Sequence, residues 1–308
     1  MLVSICIASY RRPEGLRRLL TAIEQQRFTM EEPQVEVCVA DNDPDRAGSA
    51  VCAELRENFR WPLRCEIEPI RGLSSARNRS VSLAANDSDF LAFIDDDEEP
   101  TESWLDQLLI TQKHTDADVV GGPVLARFAV DPPQWATAGA YFSSERMATG
   151  TELPFAATGN VLVNTAALRN LPGPFDLRFS HSGGEDTHLF IRLRQRGHRI
   201  VWCDEAVVHE HVAAERINMR WVLRRGARSF GTYSLCRREL GGWRTLPMSL
   251  AKGTVRMAIG VLLLPLALFR GKELLVRGLL QISQGSGRIL GWFGRLPAEY
   301  SEAKVATR

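Results

Sequence analysis

Residues 2–20, LVSICIASYRRPEGLRRLL, contain an apolar run that is followed directly by a helix-like pattern. The run at 2–8 is continuous and rich in β-branched side chains, which is typical of a parallel strand buried on both faces. Pro13 precedes leucines that recur at helical spacing, and proline is favoured in the first turn of a helix. This stretch therefore predicts one strand–helix unit.

The same alternation continues through the first 125 residues. Further strands are predicted at 35–40, 65–67 and 90–94, and further helices at 46–59, 74–84 and 104–110. Repeated strand–helix units predict an α/β fold with a mostly parallel sheet and helices on both faces. Beyond these units the pattern weakens, and the predicted elements are strands at 119–124, 160–164 and 199–203, a loop at 129–155 and a helix at 185–196.

Three polar clusters directly follow predicted strands: SYRR at 9–12, DND at 41–43 and DDD at 95–97. Ligands of open parallel sheets bind beyond the carboxyl ends of the strands, so one pocket can contain all three clusters. The last cluster belongs to FLAFIDDDEEP, in which five carboxylates follow a buried strand. Such crowding costs free energy unless a cation neutralises it, and carboxylate oxygens suit Mg²⁺ or Mn²⁺. The alternative is a solvated, acidic helix start.

Two glycine-containing turns carry further candidate chemistry. Residues 71–78, RGLSSARN, place cations near a helix start, which predicts phosphate binding or, alternatively, a serine-capped surface helix. Residues 182–187, SGGEDT, combine two glycines that admit a substrate with a carboxylate that can accept a proton. The alternative for this turn is an acidic helix cap. His209 and His211 lie on the same face if the backbone is extended. Either one is a candidate for an extra metal ligand, and the alternative is a partly exposed structural pair.

The C-terminal segment differs from the rest in charge. Residues 244–308 carry ten Lys/Arg and three Asp/Glu, a net charge of +7, which leaves −6 on the preceding residues given the total of +1. Apolar stretches at 250–269 and 273–293 predict two amphipathic helices broken near 270–271. We expect this tail to dock on an anionic membrane surface. A packed core helix and a shallow re-entrant hairpin are the alternatives, since the longest apolar run, 257–269, is shorter than the roughly 20 residues that span a bilayer.

Five segments resemble the family-2 glycosyltransferases of the GT-A fold, in the order of that family. They are VSICIASYRRPEGLRRLL, VCVADNDPD, GLSSARNRS, FLAFIDDDEEP and GGEDTHLFIRLRQRG. The resemblance covers about residues 2–235, and the order of the motifs is more specific than any one of them. GNVLVN, GGEDTHLFIRL and VWCDEAVVHEHV are similar, more narrowly, to exopolysaccharide glucosyltransferases of the succinoglycan type.

The resemblance implies donor-side roles for five matched positions. Ser9 and Arg11 would line the nucleotide pocket, and Asp41 would contact the base. Arg71 and Arg77 would lie near the diphosphate. The implied donor is a UDP-sugar, with UDP-glucose the favoured member.

The resemblance also implies a metal and an acceptor site. Asp95 and Asp97 would form the D-x-D pair, with Asp97 the ligand of Mn²⁺ or Mg²⁺ and His211 a third candidate ligand. Gly183 and Gly184 would border the acceptor. Asp186 would be the general base, with Glu185 the less favoured choice.

The expected activity is inverting transfer of a single sugar to a hydroxyl of a lipid-linked or polysaccharide-precursor acceptor at the cytoplasmic face of a membrane. The Q/R-x-x-R-W sequence of polymerising members is not apparent after Trp221, which favours single transfer. The expected domains are a GT-A domain at 1–243, with nucleotide and acceptor halves at 1–125 and 126–243, and a tail at 244–308 that meets the membrane through 244–295. No nucleic-acid partner is expected.

Two other classes of protein remain as alternatives. A metal-dependent phosphohydrolase also uses two aspartates at a strand end, but its nucleophilic aspartate typically follows the first strand, where this chain has Ser9-Tyr10-Arg11. A non-catalytic carbohydrate-binding module would leave the acidic cluster and the Glu185-Asp186 pair without a role.

The six cysteines lack a C-x-x-C pair and are expected to be reduced core thiols.

Overall fold

The computed structural model describes residues 1–139, 141–168, 171 and 173–295. The predicted tail beyond residue 295 lies outside the described residues. The chain forms two compact units. The sheet unit comprises Met1–Leu125, Ser144–Ser180 and Leu189–His211, and the helical unit comprises Ala126–Ser143, His181–His188 and Val212–Arg308.

The elements of the first 121 residues match the predicted strand–helix units closely. In chain order they are β1 (Leu2–Ser9), α1 (Pro13–Glu24), β2 (Gln34–Asp41), α2 (Ala47–Leu55), β3 (Leu63–Ile67), α3 (Leu73–Leu83), β4 (Phe90–Ile94), β5 (Glu98–Pro100), α4 (Trp104–Thr115) and β6 (Val119–Gly121).

The remaining elements are short strands, three helices of 4 to 11 residues and three long C-terminal helices. They are β7 (Val124–Phe128), α5 (Gln134–Ala138), β8 (Asn160–Asn164), α6 (Thr165–Leu168), α7 (Glu185–Gln195), β9 (Ile200–Trp202), β10 (Val208–Val212), α8 (Met219–Gly241), α9 (Leu246–Arg270) and α10 (Lys272–Trp292). The strand predicted at 119–124 is thus two strands, β6 and β7, and the predicted loop at 129–155 contains α5.

A seven-stranded sheet with the order β3-β2-β1-β4-β8-β6-β9 forms the centre of the sheet unit. Strand β1 is parallel to both β2 and β4, with Ser9 opposite Asp41 and Cys6 opposite Phe93. Strand β8 runs antiparallel to its neighbours β4 and β6. The prediction of a mostly parallel sheet is confirmed, and the carboxyl ends of β1, β2 and β4 lie side by side.

The two faces of this sheet belong to different hydrophobic clusters. Val3, Ile5 and Ile7 of β1 pack in one cluster with the leucines of α1. Cys6 packs in the other cluster, which includes Leu189 of α7. Alternate residues of β1 therefore point to opposite, covered faces, which explains why its sequence is mostly apolar on both.

A smaller sheet has the order β5-β10-β7. Strands β5 and β10 are antiparallel, and His209 lies opposite Glu99 in their register. This pairing brings the histidine-containing strand against the segment that follows the acidic cluster.

All six cysteines are free, and five of them are buried.

The helical unit contains the long helices α8, α9 and α10. Helix α10 packs against α9 and α8 where glycines face each other: Gly278 and Gly260, Gly285 and Gly253, and Gly291 and Gly231. A Cβ on Gly260 would lie 2.6 Å from the carbonyl oxygen of Gly278, so the helix backbones approach closely. The two predicted tail helices are confirmed, and Gly271 separates them with a φ of 81°. Helix α8 was not predicted, and the domain boundaries at 125 and 243 stay predictions.

Helix α9 exposes large apolar side chains. Leu262, Leu268 and Phe269 are all exposed, the last two at 86% and 87%. The continuous segment Met219–Arg270 is long and apolar enough to cross a membrane, by length and composition alone, and 11% of its most apolar window is buried. Low burial distinguishes it from the core helix of a globular domain.

Candidate functional site

The polar segments after β1, β2 and β4 contact one another, as predicted. The Asn42 backbone N–H donates to the Ser9 carbonyl oxygen at 2.9 Å. The Tyr10 backbone N–H donates to Asp96 Oδ2 at 3.0 Å. These bonds cross between adjacent strand ends, so the three clusters lie together at one edge of the sheet.

Arginines balance the charge of the three aspartates. Arg77 Nη2 donates to Asp95 Oδ1 at 2.7 Å, and its side chain is almost fully buried. Arg12 Nη1 lies 2.8 Å from Asp96 Oδ1 and 3.0 Å from Asp97 Oδ2. Burial raises the pKa of Asp96 to about 6, although Arg12 acts to lower it. Two guanidinium groups therefore reduce the repulsion that the sequence alone suggested a cation must neutralise.

Glu98 has a different role from the aspartates that precede it. It is buried, and its Oε2 accepts a hydrogen bond from the Asp95 backbone N–H at 2.8 Å. Burial, together with the charges of Asp95 and Asp97, raises the pKa of Glu98 well above its ordinary value. Gly159 leaves room for this carboxyl, since a Cβ there would lie 2.5 Å from Glu98 Oε1. Glu98 therefore holds the turn after β4, and the predicted cluster of five carboxylates divides into separate roles.

His211 lies beside the D-x-D pair through the pairing of β10 with β5. Its backbone N–H donates to the Asp97 carbonyl oxygen at 3.0 Å, and its Nε2 lies 2.9 Å from Glu99 Oε2. A carboxylate that orients a histidine ring is common around metal ligands. Within the described residues, no three His, Cys, Asp or Glu side chains are grouped so that they could hold a metal ion.

Asp95 and Asp97 are the two carboxylates to which a metal role was assigned, and each is already paired with an arginine. Mg²⁺ usually binds through one or two carboxylates, substrate phosphates and water, and does not need a cage of protein ligands. The metal roles of Asp95, Asp97 and His211 stay predictions.

Asp41 stabilises the start of α2. It is fully buried, and its Oδ2 accepts hydrogen bonds from the Ser49 backbone N–H at 2.6 Å and from Ser49 Oγ at 2.8 Å. Its Oδ1 accepts from the Asp43 backbone N–H at 3.1 Å. These bonds employ both carboxylate oxygens, a role that was not predicted. The contact of Asp41 with a base stays a prediction.

The neighbouring Asn42 holds the segment that carries Arg71. Its Nδ2 donates to the carbonyl oxygens of Glu68, at 2.7 Å, and Ile70, at 2.9 Å. Its Oδ1 accepts from the Gly72 backbone N–H at 2.9 Å. One side chain thus makes three bonds to the loop between β3 and α3, which fixes that loop against the end of β2.

Two of the predicted donor-side arginines lie near the same aromatic ring. The guanidinium carbons of Arg11 and Arg71 are 5.4 Å and 5.3 Å from the centre of the Tyr10 ring. Arg11 also has its Nε 3.5 Å from Asp43 Oδ1, and its φ of 53° lies in the left-handed region. The segment 9–12 therefore turns sharply, and the donor roles of Arg11 and Arg71 stay predictions.

The second predicted site is the glycine turn before α7, in the helical unit. Gly183 and Gly184 have φ values of 76° and 96°, which only glycine adopts readily. Glu185 is 1% exposed, whereas Asp186 is only partly buried and its Oδ1 accepts from the Thr187 backbone N–H at 2.5 Å. The greater exposure of Asp186 agrees with its place as the favoured base. The roles of these four residues stay predictions.

Comparison with known proteins identifies the family. The model of glycosyl transferase family 2 matches residues 4–171, more than half of the chain. The chain is also 34% identical, over 231 residues, to the succinoglycan biosynthesis protein ExoM of Rhizobium meliloti strain 1021, covering 75% of this chain and 74% of that relative. This chain belongs to glycosyltransferase family 2. The predicted family is confirmed.

Further similarities agree with this family. The transferase is 25% identical over 210 residues to glycosyltransferase AglE of Haloferax volcanii, covering 67% of this chain and 65% of AglE. The crystal structure of S. aureus TarS 1-349 in complex with UDP superposes with a TM-score of 0.51 at 16% identity, covering 98% of this chain and 97% of that one. At this identity the likeness supports the GT-A fold alone.

Three residues that were not singled out connect the strand-end segments of this family-2 transferase. Arg12 and Asp96 connect the end of β1 to the end of β4, and Asn42 connects β2 to the following loop. All three lie inside the quoted motifs. Because they lie next to predicted site residues, the sequence could have marked them as candidates. Their bonding partners could not be predicted, since those depend on which strands are neighbours in the sheet.

Proposed function

We propose that this family-2 glycosyltransferase transfers a single glucose, with inversion, from UDP-glucose to a hydroxyl of a lipid-linked or polysaccharide-precursor acceptor. The main support for a donor-binding region is the pairing of Arg77 with Asp95 and of Arg12 with Asp97 near the ends of central strands. The name of the relative ExoM, a succinoglycan biosynthesis protein, supports a polysaccharide precursor as the acceptor. The uridine nucleotide is proposed from the resemblance to exopolysaccharide glucosyltransferases, and TarS, which shares the fold, was crystallised in complex with UDP.

On the donor side, charge builds on the diphosphate as the sugar leaves. Arg77 and Arg12 already lie next to the aspartates, and fixed cations in a partly buried site stabilise such charge without reorganisation. Asp97 and Asp95 would hold Mn²⁺ or Mg²⁺, which supplies further charge stabilisation when bound. Asn42 orients the loop that carries Arg71, the other cation assigned to the diphosphate.

On the acceptor side, Asp186 removes the hydroxyl proton as the oxygen attacks the anomeric carbon. A single displacement inverts the configuration, so that an α-linked donor gives a β-linked product. Asp186 is the more exposed carboxylate of its pair, and Glu185 is buried, which favours Asp186 for a proton transfer with a bound acceptor. Gly183 and Gly184 leave space for the acceptor beside the backbone.

A membrane-embedded acceptor requires that the enzyme reach the membrane surface. Helix α9 exposes Leu268 and Phe269 next to Arg270, and Lys272 follows at the start of α10. Apolar side chains that enter the headgroup region beside cations that meet anionic lipid are typical of peripheral helices. We therefore assign the protein to the cytoplasmic face of the membrane, docked through residues 244–295.

A thermal-shift experiment on the full chain tests the donor side. We expect UDP to raise the melting temperature in the presence of Mn²⁺ or Mg²⁺, and UDP with EDTA to give little shift, since only ligands that bind the folded state stabilise it. A parallel assay of nucleotide release from UDP-, GDP- and dTDP-sugars should favour UDP-glucose. An equal shift with EDTA would contradict the metal, and preference for another nucleotide would contradict the donor.

A further inference from the structure

Helix α8 forms the surface on which the turn at 183–186 rests. A Cβ added to Gly184 would overlap Cγ2 of Thr232, so the threonine methyl group fills the space that a side chain would need. The Cys236 thiol donates to the Gly184 carbonyl oxygen with an Sγ–O distance of 3.6 Å. Thr232 and Cys236 are one helical turn apart and are both buried. One face of α8 therefore contacts both the Cα and the carbonyl of Gly184.

The thiol is held in its neutral, donating form. Burial raises the pKa of Cys236, and the charges of Asp186 and then Glu185 raise it further. The bond from Cys236 to Gly184, which directly precedes Glu185, places the buried face of α8 next to the Glu-Asp pair. A neutral donor to a backbone carbonyl adds a contact there without adding a charge near Asp186.

Helix α8 is itself fixed on its other sides. A Cβ on Gly291 of α10 would overlap the backbone of Gly231, so these two helices are in backbone contact one residue before Thr232. Ser234 Oγ donates to Ser249 Oγ of α9 at 3.1 Å, in a buried position. Residues 231–236 of α8 are thus held by two helices while they contact the glycine turn.

We propose that Thr232 and Cys236 are positioning residues that set the place of Asp186 by holding Gly184. This inference rests on the proposed function, because it assumes that Asp186 is the general base. Gly184 precedes Asp186 by two residues, so a shift of this glycine moves the start of α7 and its carboxylate with it. A displacement of about 1 Å at a reacting group can cost about 10²-fold in rate. Loss of either contact therefore lowers turnover and leaves donor binding intact.

Two substitutions at position 232 test the methyl contact. Thr232→Ser removes Cγ2 and keeps the hydroxyl, whereas Thr232→Val keeps the branched shape and removes the hydroxyl. We expect Thr232→Ser to lower kcat by roughly tenfold, within the range for a misplaced group, with the KM for donor unchanged. Thr232→Val should stay close to wild type. Equal kcat for Thr232→Ser and wild type, equal losses in both variants, or a change confined to the donor KM would each overturn the proposal.

A matched pair at position 236 gives an independent measurement. Cys236→Ser keeps a donor of similar size, and Cys236→Ala removes it, so we expect kcat to fall in the alanine variant and to be largely retained in the serine variant. Stabilisation by UDP should be the same in both, which separates positioning from loss of fold. Absence of sugar transfer by the wild-type enzyme would count against the proposed function. Normal transfer by wild type and by Cys236→Ala would count against the positioning role alone.

Discussion

The carboxylates at the end of β4 and those of the glycine turn before α7 are held in different ways. Asp95, Asp96 and Asp97 are bound by arginines and by backbone groups from neighbouring strand ends. Asp186 accepts a bond from its own neighbour Thr187, and its turn rests on the side chains of a helix about fifty residues later. The first region places charge by ion pairs, and the second places a carboxylate by the shape of the backbone. Changes in the first should affect binding, and changes in the second should affect turnover.

The largest effect that separates the two regions is expected from neutralising one carboxylate in each. Asp186→Asn removes a general base, which typically contributes about 10²–10⁴-fold, and Asp97→Asn removes the assigned metal ligand. We expect both variants to lose at least 10²-fold in transfer. Stabilisation by UDP with Mn²⁺ should survive in Asp186→Asn and disappear in Asp97→Asn.

The crossed measurement makes each variant the control for the other. Near-normal turnover in Asp186→Asn would show that another group accepts the proton. Full stabilisation of Asp97→Asn by UDP with Mn²⁺ would show that the metal is held elsewhere. Loss of UDP stabilisation in both variants would remove the distinction between a binding region and a turnover region.

A smaller effect is expected at the exposed end of α9. Leu268→Ser combined with Phe269→Ser removes two large apolar side chains, each worth about 1.5–3 kcal/mol when fully buried. Because a helix that lies in the headgroup region buries only part of each side chain, we expect binding to anionic vesicles to fall by about ten- to a hundredfold, with stabilisation by UDP unchanged. Leu177→Ser is the matched control, because Leu177 is 59% exposed but belongs to the sheet unit. Equal vesicle binding by the double variant and wild type would contradict docking through α9.

Much of the sheet unit could be predicted from sequence because its signals are local. Strand β1 is apolar since both of its faces are covered, and Pro13 stands at the first residue of α1. The segments after β1, β2 and β4 were expected at one edge, and the strand order confirms that expectation. The antiparallel direction of β8 could not be predicted, since its apolar pattern is the same in either direction.

The partners of the site residues were less accessible to prediction. Arg12 is as polar as Arg11 beside it, and only the neighbouring strand end shows that Arg12 pairs with Asp96. The same holds for Thr232, which the sequence does not distinguish from other helix residues and whose contact with Gly184 appears only in the folded structure. Such contacts join residues far apart in sequence, so local patterns carry no information on them.

The smallest expected effect concerns the stability of the donor side, and it tests whether ion pairs hold this region. Asp96→Ala removes the acceptor of the Tyr10 N–H and one partner of Arg12. The loss of a hydrogen-bonded buried group typically costs about 1–3 kcal/mol. Three effects act in the opposite direction: the variant no longer buries a carboxylate, repulsion with Asp97 is relieved, and the partial exposure of Arg12 weakens the ion pair that is lost. We therefore expect the free energy of unfolding to fall by about 1–2 kcal/mol, measured by urea denaturation.

Two further variants show which contact carries this effect. Asp45→Ala is the control, because Asp45 is 80% exposed and lies 3.9 Å from Arg11, so its removal should change stability by less than about 0.5 kcal/mol. Asp96→Asn keeps an acceptor for the Tyr10 N–H and loses the charge. Full retention of stability in Asp96→Asn with a loss in Asp96→Ala would assign the effect to the hydrogen bond. Equal stability in Asp96→Ala and Asp45→Ala would mean that the segment after β4 is held by the packing of α1 against its backbone. A Cβ on Gly15 of that helix would overlap the Asp96 carbonyl oxygen. The contrast between a region held by ion pairs and one held by shape would then fail.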